Sequence, residues 1–267
     1  MSPEIYKPRE ARPAVWLQEY LKSIKEYKEA DKAAIFVIGI NGARINGTTH
    51  IALKRVLERI EFYGCKTLIV HLREIRMTDS DDAYSENPNS AKYPVPFDDD
   101  IPDIHELLLL ADGVVFATST NWGKQTPRMS LFENHLTPLE NSGFLLEGTT
   151  SGHIVTGEES GQIGVLENQL WVMSNMGVTP PPYGAIYIIA GRPGKDKKGT
   201  TQIRPQWARE DLDLLADNLL KRVLSDRFSG VNWDRRRSGE QIRRLQTLLR
   251  SVDFEGAQLI IRLPNNT

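Results

Sequence analysis

The chain has 267 residues, of which 40% are hydrophobic and 25% are charged, a composition typical of globular proteins. Its 33 Lys and Arg residues and 35 Asp and Glu residues give a formal net charge of −2, which argues against a basic nucleic-acid-binding surface and a polybasic membrane-binding protein. A single cysteine, Cys65, excludes a disulfide framework and cysteine-ligated zinc or iron–sulfur sites. No secretory leader is visible and no apolar run approaches the ~20 residues of a bilayer span, so we expect a cytoplasmic protein without a membrane span.

Short apolar runs alternate with amphipathic stretches through most of the chain. The apolar runs predict buried strands over residues 33–40, 66–72, 113–118, 153–156 and 185–190. The amphipathic stretches predict helices over residues 48–62, 101–110, 127–139, 163–176 and 205–224. This alternation is typical of an α/β protein whose doubly wound parallel sheet carries helices on both faces. The commonest order of the strands in such a five-stranded sheet is 2-1-3-4-5.

Two segments lie outside this alternation, one at each end of the chain. A helix predicted over 12–28 carries large apolar residues that must rest on the domain or on a partner chain. A second helix is predicted to open at Ser238 with a capping-box pair. These extensions suggest self-association, as a homodimer or homotetramer. The predicted divisions are an N-terminal helical extension, 1–30, a central ligand-binding domain, 31–225, and a C-terminal helical extension, 226–267.

Ligands of such sheets bind beyond the carboxyl ends of the strands, where the strand order reverses. This rule selects the loops after the first and third strands, with the loop after the fourth strand beside them. The loop after the first strand combines small residues, hydroxyls and one guanidinium at the start of a helix, which suits a phosphate. An ordinary turn, in which glycine allows positive φ and threonine caps the helix, is the alternative. The candidate phosphate ligands are Asn41, Gly42, Arg44, Asn46, Gly47, Thr48 and Thr49.

The type of phosphate compound is narrowed by what this loop lacks. Residues 42–49 approach the P-loop pattern G-x-x-x-x-G-K-[ST], but Thr48 stands in place of the lysine, which disfavours nucleoside triphosphate chemistry. The spacing G-x-G-x-x-G is absent, and His71 rather than an acid lies near the end of the second strand, which disfavours a dinucleotide. A monophosphate fits this loop best.

The other two loops have the composition of a binding site for a flat heteroaromatic ring. After the third strand, backbone amides can bond the polar edge of the ring while Trp122 packs on it; alternatively, Trp122 fills a gap in the core. A glycine-flanked loop after the fourth strand can approach the same ring closely. The candidate ring-contacting residues are Thr118, Ser119, Thr120, Asn121, Trp122, Gly123, Thr156, Gly157, Glu158, Ser160 and Gly161.

Other catalytic sites are not indicated by the sequence. The five histidines show no metal-ligand spacing, and we expect each to be a surface or capping residue, with His50 alone near the phosphate. A G-x-S-x-G nucleophile elbow is absent, because Ser160 lies one place too late between Gly157 and Gly161. No catalytic side chain and no metal ligand are therefore assigned.

Several patterns bear on the identity of the ligand. Residues 42–49 follow the spacing S-x-R-x-x-S-x-N, with Arg44 in the place of the arginine. An acidic cluster at 98–100 precedes the stretch Ala-Asp-Gly-Val-Val-Phe at 111–116. Looser matches to T/S-P-x-x-W-G and to Lys-x-Phe-x-Asp-Arg occur at 118–123 and 129–134. Through these patterns, the chain resembles the flavodoxin-like NAD(P)H-dependent FMN reductase family over roughly residues 33–224.

The resemblance implies a flavodoxin-like fold and an FMN cofactor held by the three loops. It also implies NADPH or NADH as electron donor and a quinone, a free flavin or another small molecule as electron acceptor. Three positions depart from the family patterns, with Gly42 in place of serine, Ser119 in place of proline and Ser130 in place of lysine. Two alternatives therefore stay open: a flavodoxin-type electron carrier, and a flavin-free protein of the same fold with an interaction role.

Overall fold

The computed structural model describes residues 15–31, 33–78, 99–189, 194–195, 201–203 and 205–229. All of them belong to the first of the two units into which the chain divides, Met1–Asn232. The predicted helix from Ser238 and the acidic residue Asp98 lie outside the described residues. Among the helices that are described, none has the length and apolar character needed to cross a membrane. The predicted domain boundaries after residues 30 and 225 stay a prediction.

A parallel sheet forms the centre of this unit. Its strand order is β2-β1-β3-β5-β6 with every neighbouring pair parallel, while β4 pairs antiparallel with the end of β3. This order confirms the predicted flavodoxin-like, doubly wound arrangement. A separate antiparallel pair joins β7 to β8. The strands are β1 (Phe36–Asn41), β2 (Lys66–His71), β3 (Gly113–Asn121), β4 (Lys124–Gln125), β5 (Thr150–Gly157), β6 (Ala185–Ile189), β7 (Gly194–Lys195) and β8 (Thr201–Gln202).

Helices cover both faces of the sheet. They are α1 (Val15–Ala30), α2 (Thr48–Phe62), α3 (Ile101–Leu110), α4 (Pro127–Asn134), α5 (Thr137–Asn141), α6 (Gln162–Asn175) and α7 (Gln206–Ser229). Ile38 and Phe116 pack with α1, α3 and α4 on one face, whereas Val37 and Val115 pack with α2 and α7 on the other. Since side chains alternate along a strand, these continuous apolar runs fill both layers of the core.

Three predicted elements have different bounds in the structure. The helix predicted over 127–139 is divided into α4 and α5, because Pro138 has no N–H to bond the carbonyl of Asn134. Strand β3 continues past Thr118 and turns back into β4, so the loop predicted after it is a hairpin. Strand β5 begins at Thr150 rather than at His153.

The N-terminal helix α1 packs on the sheet unit. Its inward face buries Leu17, Leu21 and Ile24 in the same core as α3. Near the end of α1, Lys28 Nζ lies 2.5 Å from Asp112 Oδ2, and the same oxygen accepts the Phe36 N–H at 2.8 Å. The helix was predicted to rest either on the domain or on a partner chain, and in the structure it packs on the domain. Self-association through the terminal segments stays a prediction.

Helix α2 is aligned against α7 by two ion pairs. Arg55 donates to Asp213 through Nε and Nη2 at 2.8 and 2.7 Å, and Arg59 donates to Asp217 at 2.6 and 2.7 Å. These side chains are partly exposed, so each pair stabilises the fold by only ~1 kcal/mol or less. Their paired geometry adds to the apolar contacts that pack α2 against α7 in the core.

Candidate functional site

The three loops predicted to bind a ligand lie together beyond the carboxyl ends of β1, β3 and β5. We call residues 42–47 the first loop, 118–125 the second loop and 157–161 the third loop. Strand β3 lies between β1 and β5 in the sheet, so the second loop is flanked by the other two. Parallel strands bring their carboxyl ends to the same edge of a sheet, which is why loops distant in sequence converge there.

Side-chain hydroxyls join the first loop to its neighbours. Thr126, which follows the second loop, donates through Oγ1 to the carbonyl oxygen of Gly42 at 2.8 Å. The hydroxyl oxygens of Thr49 and Thr156 lie 2.6 Å apart. Thr49 is buried, so this contact ties the first turn of α2 to the end of β5. Two predicted ligands from different loops are thus held in one arrangement.

The first loop leads into a helix terminus that lacks a side-chain cap. Gly47 is the N-cap of α2 and makes no side-chain cap hydrogen bond, and the first turn has no acidic residue. The N–H of Gly47 donates to the carbonyl oxygen of Arg44 at 3.1 Å, which folds the loop back on itself. The first N–H groups of a helix have no acceptor within the helix and form the positive end of its dipole. The start of α2 can therefore take an anion from outside the chain.

Arg44 is the exposed cation of the first loop. Within the described residues it forms no ion pair, and its side chain is open to solvent. Thr48 is half-buried at the first position of α2, where its hydroxyl is close to the same helix terminus. Asn46 is exposed and adopts a φ of 60°. Guanidinium, hydroxyl and helix N–H donors together form a suitable set for phosphate oxygens.

Asn41 has a different role from the one predicted for it. Its side chain is completely buried, Oδ1 accepts the N–H of Ala43 at 3.1 Å, and Nδ2 lies 2.9 Å from Nδ1 of His71. Both ends of the carboxamide therefore have partners inside the chain. Asn41 shapes the first loop from beneath rather than presenting a free donor to a ligand.

His71 and His50 form an uncharged support for the first loop. Their ring centroids are 4.7 Å apart in an edge-to-face arrangement, and His50 Nδ1 accepts the N–H of Asn46 at 2.8 Å. Burial lowers the pKa of both imidazoles, and the pKa of His50 is lowered further by His71 and Lys54. At neutral pH these rings position the loop without adding positive charge to it.

The second loop is a tight hairpin with Trp122 at its tip. Trp122 and Gly123 have φ values of 53° and 72° and form the two-residue turn between β3 and β4. Left-handed backbone costs a non-glycine residue ~1–2 kcal/mol. Trp122 is 97% exposed, so the alternative in which it fills a gap in the core is wrong. The indole is free to contact a ligand.

The third loop approaches the second so closely that two of its glycines leave no room for a side chain. A Cβ on Gly157 would lie 2.2 Å from Thr120 Oγ1 and 2.3 Å from Gln162 Nε2. Gly161 has a φ of 91°, and its Cβ would lie 2.7 Å from the Cα of Gly123. The second and third loops therefore form one continuous wall, as a shared ring site requires.

Charge distinguishes the first loop from the third. The first loop presents the exposed Arg44, whereas the third presents the exposed carboxylates Glu158 and Glu159. A phosphate is attracted to the former and repelled by the latter. The second loop presents the exposed Lys124, so the charges argue only against a phosphate at the third loop. The orientation with the phosphate at the first loop and the ring at the other two stays a prediction.

The departure from the family pattern at Gly42 has a packing reason. A Cβ on Gly42 would lie 2.9 Å from the Cβ of Met129 and 3.0 Å from Thr126 Oγ1. Helix α4 thus occupies the space that a serine side chain would need. The N–H of Gly42 still donates to the Ala117 carbonyl at 2.9 Å, which holds the first loop against β3.

A buried polar cluster lies behind the second loop. Glu133 on α4 accepts a hydrogen bond from Gln125 on β4, and Gln169 on α6 donates to Gln125 Oε1 at 3.2 Å. Glu133 is only 7% exposed, and burial raises the pKa of its carboxyl to about 7. Glu133 Oε1 and Gln169 Oε1 have no partner among the described residues. This cluster links the hairpin to the two helices behind it.

The expectation that each histidine is a surface or capping residue is wrong for three of the five. His105, His135 and His153 are completely buried. His105 Nε2 is 2.7 Å from the His135 carbonyl oxygen, and His153 Nε2 is 2.9 Å from Ser151 Oγ. Burial lowers the pKa of His105 and His153 to about 4, so both are neutral core residues. Among the residues that the structure describes, no group of three or more His, Cys, Asp or Glu is placed to hold a metal.

Two residues of the site were missed in the sequence. Thr126 is the N-cap of α4 and precedes Pro127, a cap-and-proline signal that could have located it. Gln162 is the first residue of α6 after the third loop, a position that the strand–loop–helix rule could have included. Neither residue is part of the family patterns considered above.

A protein-family model and several solved structures match this chain. The model of the family described as NADPH-dependent FMN reductase matches residues 35–191, more than half of the chain. A search of curated protein sequences gave no match.

Three solved structures share the fold. The chain is similar to RosB, solved with the bound intermediate 8-demethyl-8-formylriboflavin-5'-phosphate, at 17% identity and a TM-score of 0.60 over 87% of this chain and 94% of that one. It is similar to the apo form of the NADH:FMN oxidoreductase EMOB at 16% identity and a TM-score of 0.50, over 72% and 90%. A flavone reductase matches at 12% identity and a TM-score of 0.53, over 71% and 63%. At such low identities these structures show the fold alone.

Proposed function

The chain belongs to the NADPH-dependent FMN reductase family, a class of flavin-dependent oxidoreductases, and we propose that it takes hydride from NADPH or NADH onto bound FMN. The electrons then pass to a second acceptor, which we propose is a quinone, a free flavin or another small molecule. A cytoplasmic location and assembly as a homodimer or homotetramer are predictions that accompany this proposal.

The start of α2 is the observation that carries the proposal. Its N–H groups lack a side-chain cap, the first turn lacks an acid, and the exposed Arg44 lies in the loop that precedes it. An uncapped helix terminus beside an unpaired guanidinium is suited to a monophosphate dianion. The residues present therefore fit the phosphate end of FMN.

The second and third loops fit the ring end of the same cofactor. Gly157 and Gly161 carry no side chain, so the backbone of the third loop can approach a flat ring closely. Trp122 offers an exposed aromatic face, and Gln162 carries a buried amide donor with no partner in the described chain. Donors and an aromatic surface at this place suit a ring with a polar edge.

Bound FMN supplies the hydride-accepting and electron-transferring chemistry. The chain's own residues bind the cofactor and orient it. Arg44, the hydroxyl of Thr48 and the first N–H groups of α2 hold the phosphate, while the amides of the second and third loops and the Trp122 indole hold the ring. The charged side chains of the second and third loops are Lys124, Glu158 and Glu159, all of them exposed. The proposal assigns none of them a role as acid or base, because hydride transfer between the two cofactors moves no proton to or from a side chain.

The first test is the visible absorption spectrum of protein purified without added flavin, followed by FMN titration and then by NADPH or NADH under anaerobic conditions. We expect saturable FMN binding with bands near ~450 and ~375 nm, the flavin being the chromophore, and bleaching on addition of the nicotinamide. Bands that neither nicotinamide bleaches would contradict the reductase and favour the electron carrier. Absence of saturable binding would contradict any flavin-dependent function and favour an interaction role.

A further inference from the structure

Gln162, the first residue of α6, carries a buried amide nitrogen that no residue in the described part of the chain pairs. The residue is 3% exposed, and its Nε2 has no hydrogen-bond partner among the described residues. Leaving a buried amide donor unpaired is unfavourable, because the donor has lost its hydrogen bonds to water. Since no described residue pairs this donor, a bound ligand can supply the acceptor.

The position of this amide is at the junction of the second and third loops. Nε2 lies beside Gly157, where an added Cβ would be 2.3 Å from it, and the hydroxyl of Thr120 occupies the same place from the second loop. Thr120 also donates to the carbonyl oxygen of Thr156 at 3.4 Å. Thr120, Thr156 and Gly157 are all predicted ring contacts, so the buried Nε2 of Gln162 lies directly against predicted ring-contacting residues.

The backbone at this point reinforces the donor character. Gly161 is the N-cap of α6 and makes no side-chain cap hydrogen bond, and the first turn of α6 contains no acidic residue. Since the positive end of the α6 dipole lies at the same residue, the site favours an acceptor or partial negative charge.

We propose that Gln162 donates a hydrogen bond through Nε2 to the acceptor edge of the bound flavin ring. The inference rests on the function proposed above. It makes Gln162 a specificity-determining residue that the second and third loops place and that the family patterns do not include. Because reduction adds negative charge to this edge of the ring, a donor there binds the reduced flavin more tightly than the oxidised form and raises the reduction potential.

The test compares Gln162→Leu, Gln162→Glu and the control Asn168→Ala, an exposed amide on the same helix. Three quantities are measured for the full chain: the free energy of unfolding without flavin, the Kd for FMN and the reduction potential of bound FMN. Without flavin, we expect Gln162→Leu to be at least as stable as the wild type, because leucine needs no partner. A merely structural glutamine would instead make this variant less stable.

With flavin, we expect Gln162→Leu to raise the Kd for FMN about tenfold. Its preference for reduced over oxidised FMN should fall by up to tenfold, which for a two-electron couple is about 30 mV in potential. Gln162→Glu should shift the potential further in the same direction, because a carboxylate repels the added charge. Asn168→Ala should match the wild type in all three quantities.

Two results would overturn the inference, and they are distinguishable. If the wild type binds FMN tightly and both Gln162 variants keep the same Kd and reduction potential, only the role of Gln162 is contradicted, and the proposed function is not. Absence of FMN binding by the wild type contradicts the proposed function and this inference with it.

Discussion

Helices α2 and α6 begin alike at the same edge of the sheet, yet they offer different chemistry. Each follows a parallel strand, and each has a glycine N-cap, Gly47 or Gly161, with no side-chain cap and no acid in the first turn. The start of α2 lies beside the exposed Arg44, whereas α6 starts with the buried Gln162. The helix dipole alone therefore does not choose the ligand. The charge and burial of neighbouring side chains do.

The two surroundings select ligands of different charge. An exposed site with a guanidinium can hold a phosphate dianion, because solvent and the cation share in its stabilisation. A buried site with one amide donor favours a neutral polar edge, since burying a full charge there is unfavourable by several kcal/mol. A ligand with a phosphate at one end and a polar ring at the other matches both.

The largest expected effect is at the start of α6, where Gly161→Ala should lower the free energy of unfolding by ~2–3 kcal/mol. Gly161 has a φ of 91°, and its Cβ would lie 2.7 Å from the backbone of Gly123. The control is Gly164→Ala within α6, which meets no atom within 4 Å and should stabilise the helix by ~0.5–1 kcal/mol. Denaturant unfolding of both variants checks this. Equal midpoints for Gly161→Ala and the wild type would show that the second and third loops do not meet as described.

The next largest effect is on the pH dependence of stability, and it tests how deeply the polar residues behind the second loop are buried. The variant is Glu133→Gln. Burial raises the pKa of Glu133 to about 7 from an ordinary value of 4.5, so the folded protein keeps a proton that the unfolded chain loses between these values. Wild-type stability should therefore fall as the pH rises from about 4.5 to about 7, a loss of ~2 kcal/mol that the neutral glutamine does not suffer.

Denaturant unfolding of wild type and Glu133→Gln at pH 5, 6, 7 and 8 measures this difference. The stability of the variant relative to the wild type should increase with pH and level off above pH 7. Glu167→Gln, which removes an exposed carboxylate on α6, is the matched control. A difference that stays constant over this pH range would mean that Glu133 is ionised in the folded protein throughout. The buried His153 and His105, whose pKa is lowered to about 4, contribute a loss of stability at acid pH that is common to both proteins and cancels in their difference.

The smallest effect is on flavin affinity, and it distinguishes the start of α2 from the start of α6. Arg44→Ala should raise the Kd for FMN about tenfold and leave the Kd for riboflavin unchanged, because only FMN carries the phosphate. Gln162→Leu should weaken both ligands alike, since both share the ring. Fluorescence titration of the two flavins measures the ratio, with the exposed Arg73→Ala as control. Equal losses of both flavins in Arg44→Ala would remove Arg44 from the phosphate site.

The fold and the first loop could be predicted because their signals are local. The apolar run of β1, the small residues of 42–47 and the amphipathic stretch of α2 are consecutive in the chain. Together they specify a strand, a turn and a helix start without reference to any other segment. The alternation of such units then indicates which loops share an edge of the sheet.

The second and third loops could be predicted only in part. Composition identified small polar residues around Trp122, but it did not indicate a hairpin, because β4 is only two residues long. The sequence also allowed Trp122 to be buried and Gln162 to be an ordinary helix residue. In the structure, the tryptophan lies at the exposed tip of the hairpin, and the buried glutamine lies against Gly157.

The sequence by itself determined the five parallel strands, the main helices between them and their order, since hydrophobic periodicity and strand-to-helix turns are properties of contiguous residues. It also led to the proposed phosphate site at the first loop. Only the tertiary structure decided which polar side chains are buried. Burial depends on segments far apart in the chain: His153 is stacked on Phe116 at 5.6 Å between ring centroids, and Gln162 lies against Gly157 and the hydroxyl of Thr120. No local pattern encodes such contacts, because each is created by the packing of one strand or helix on another.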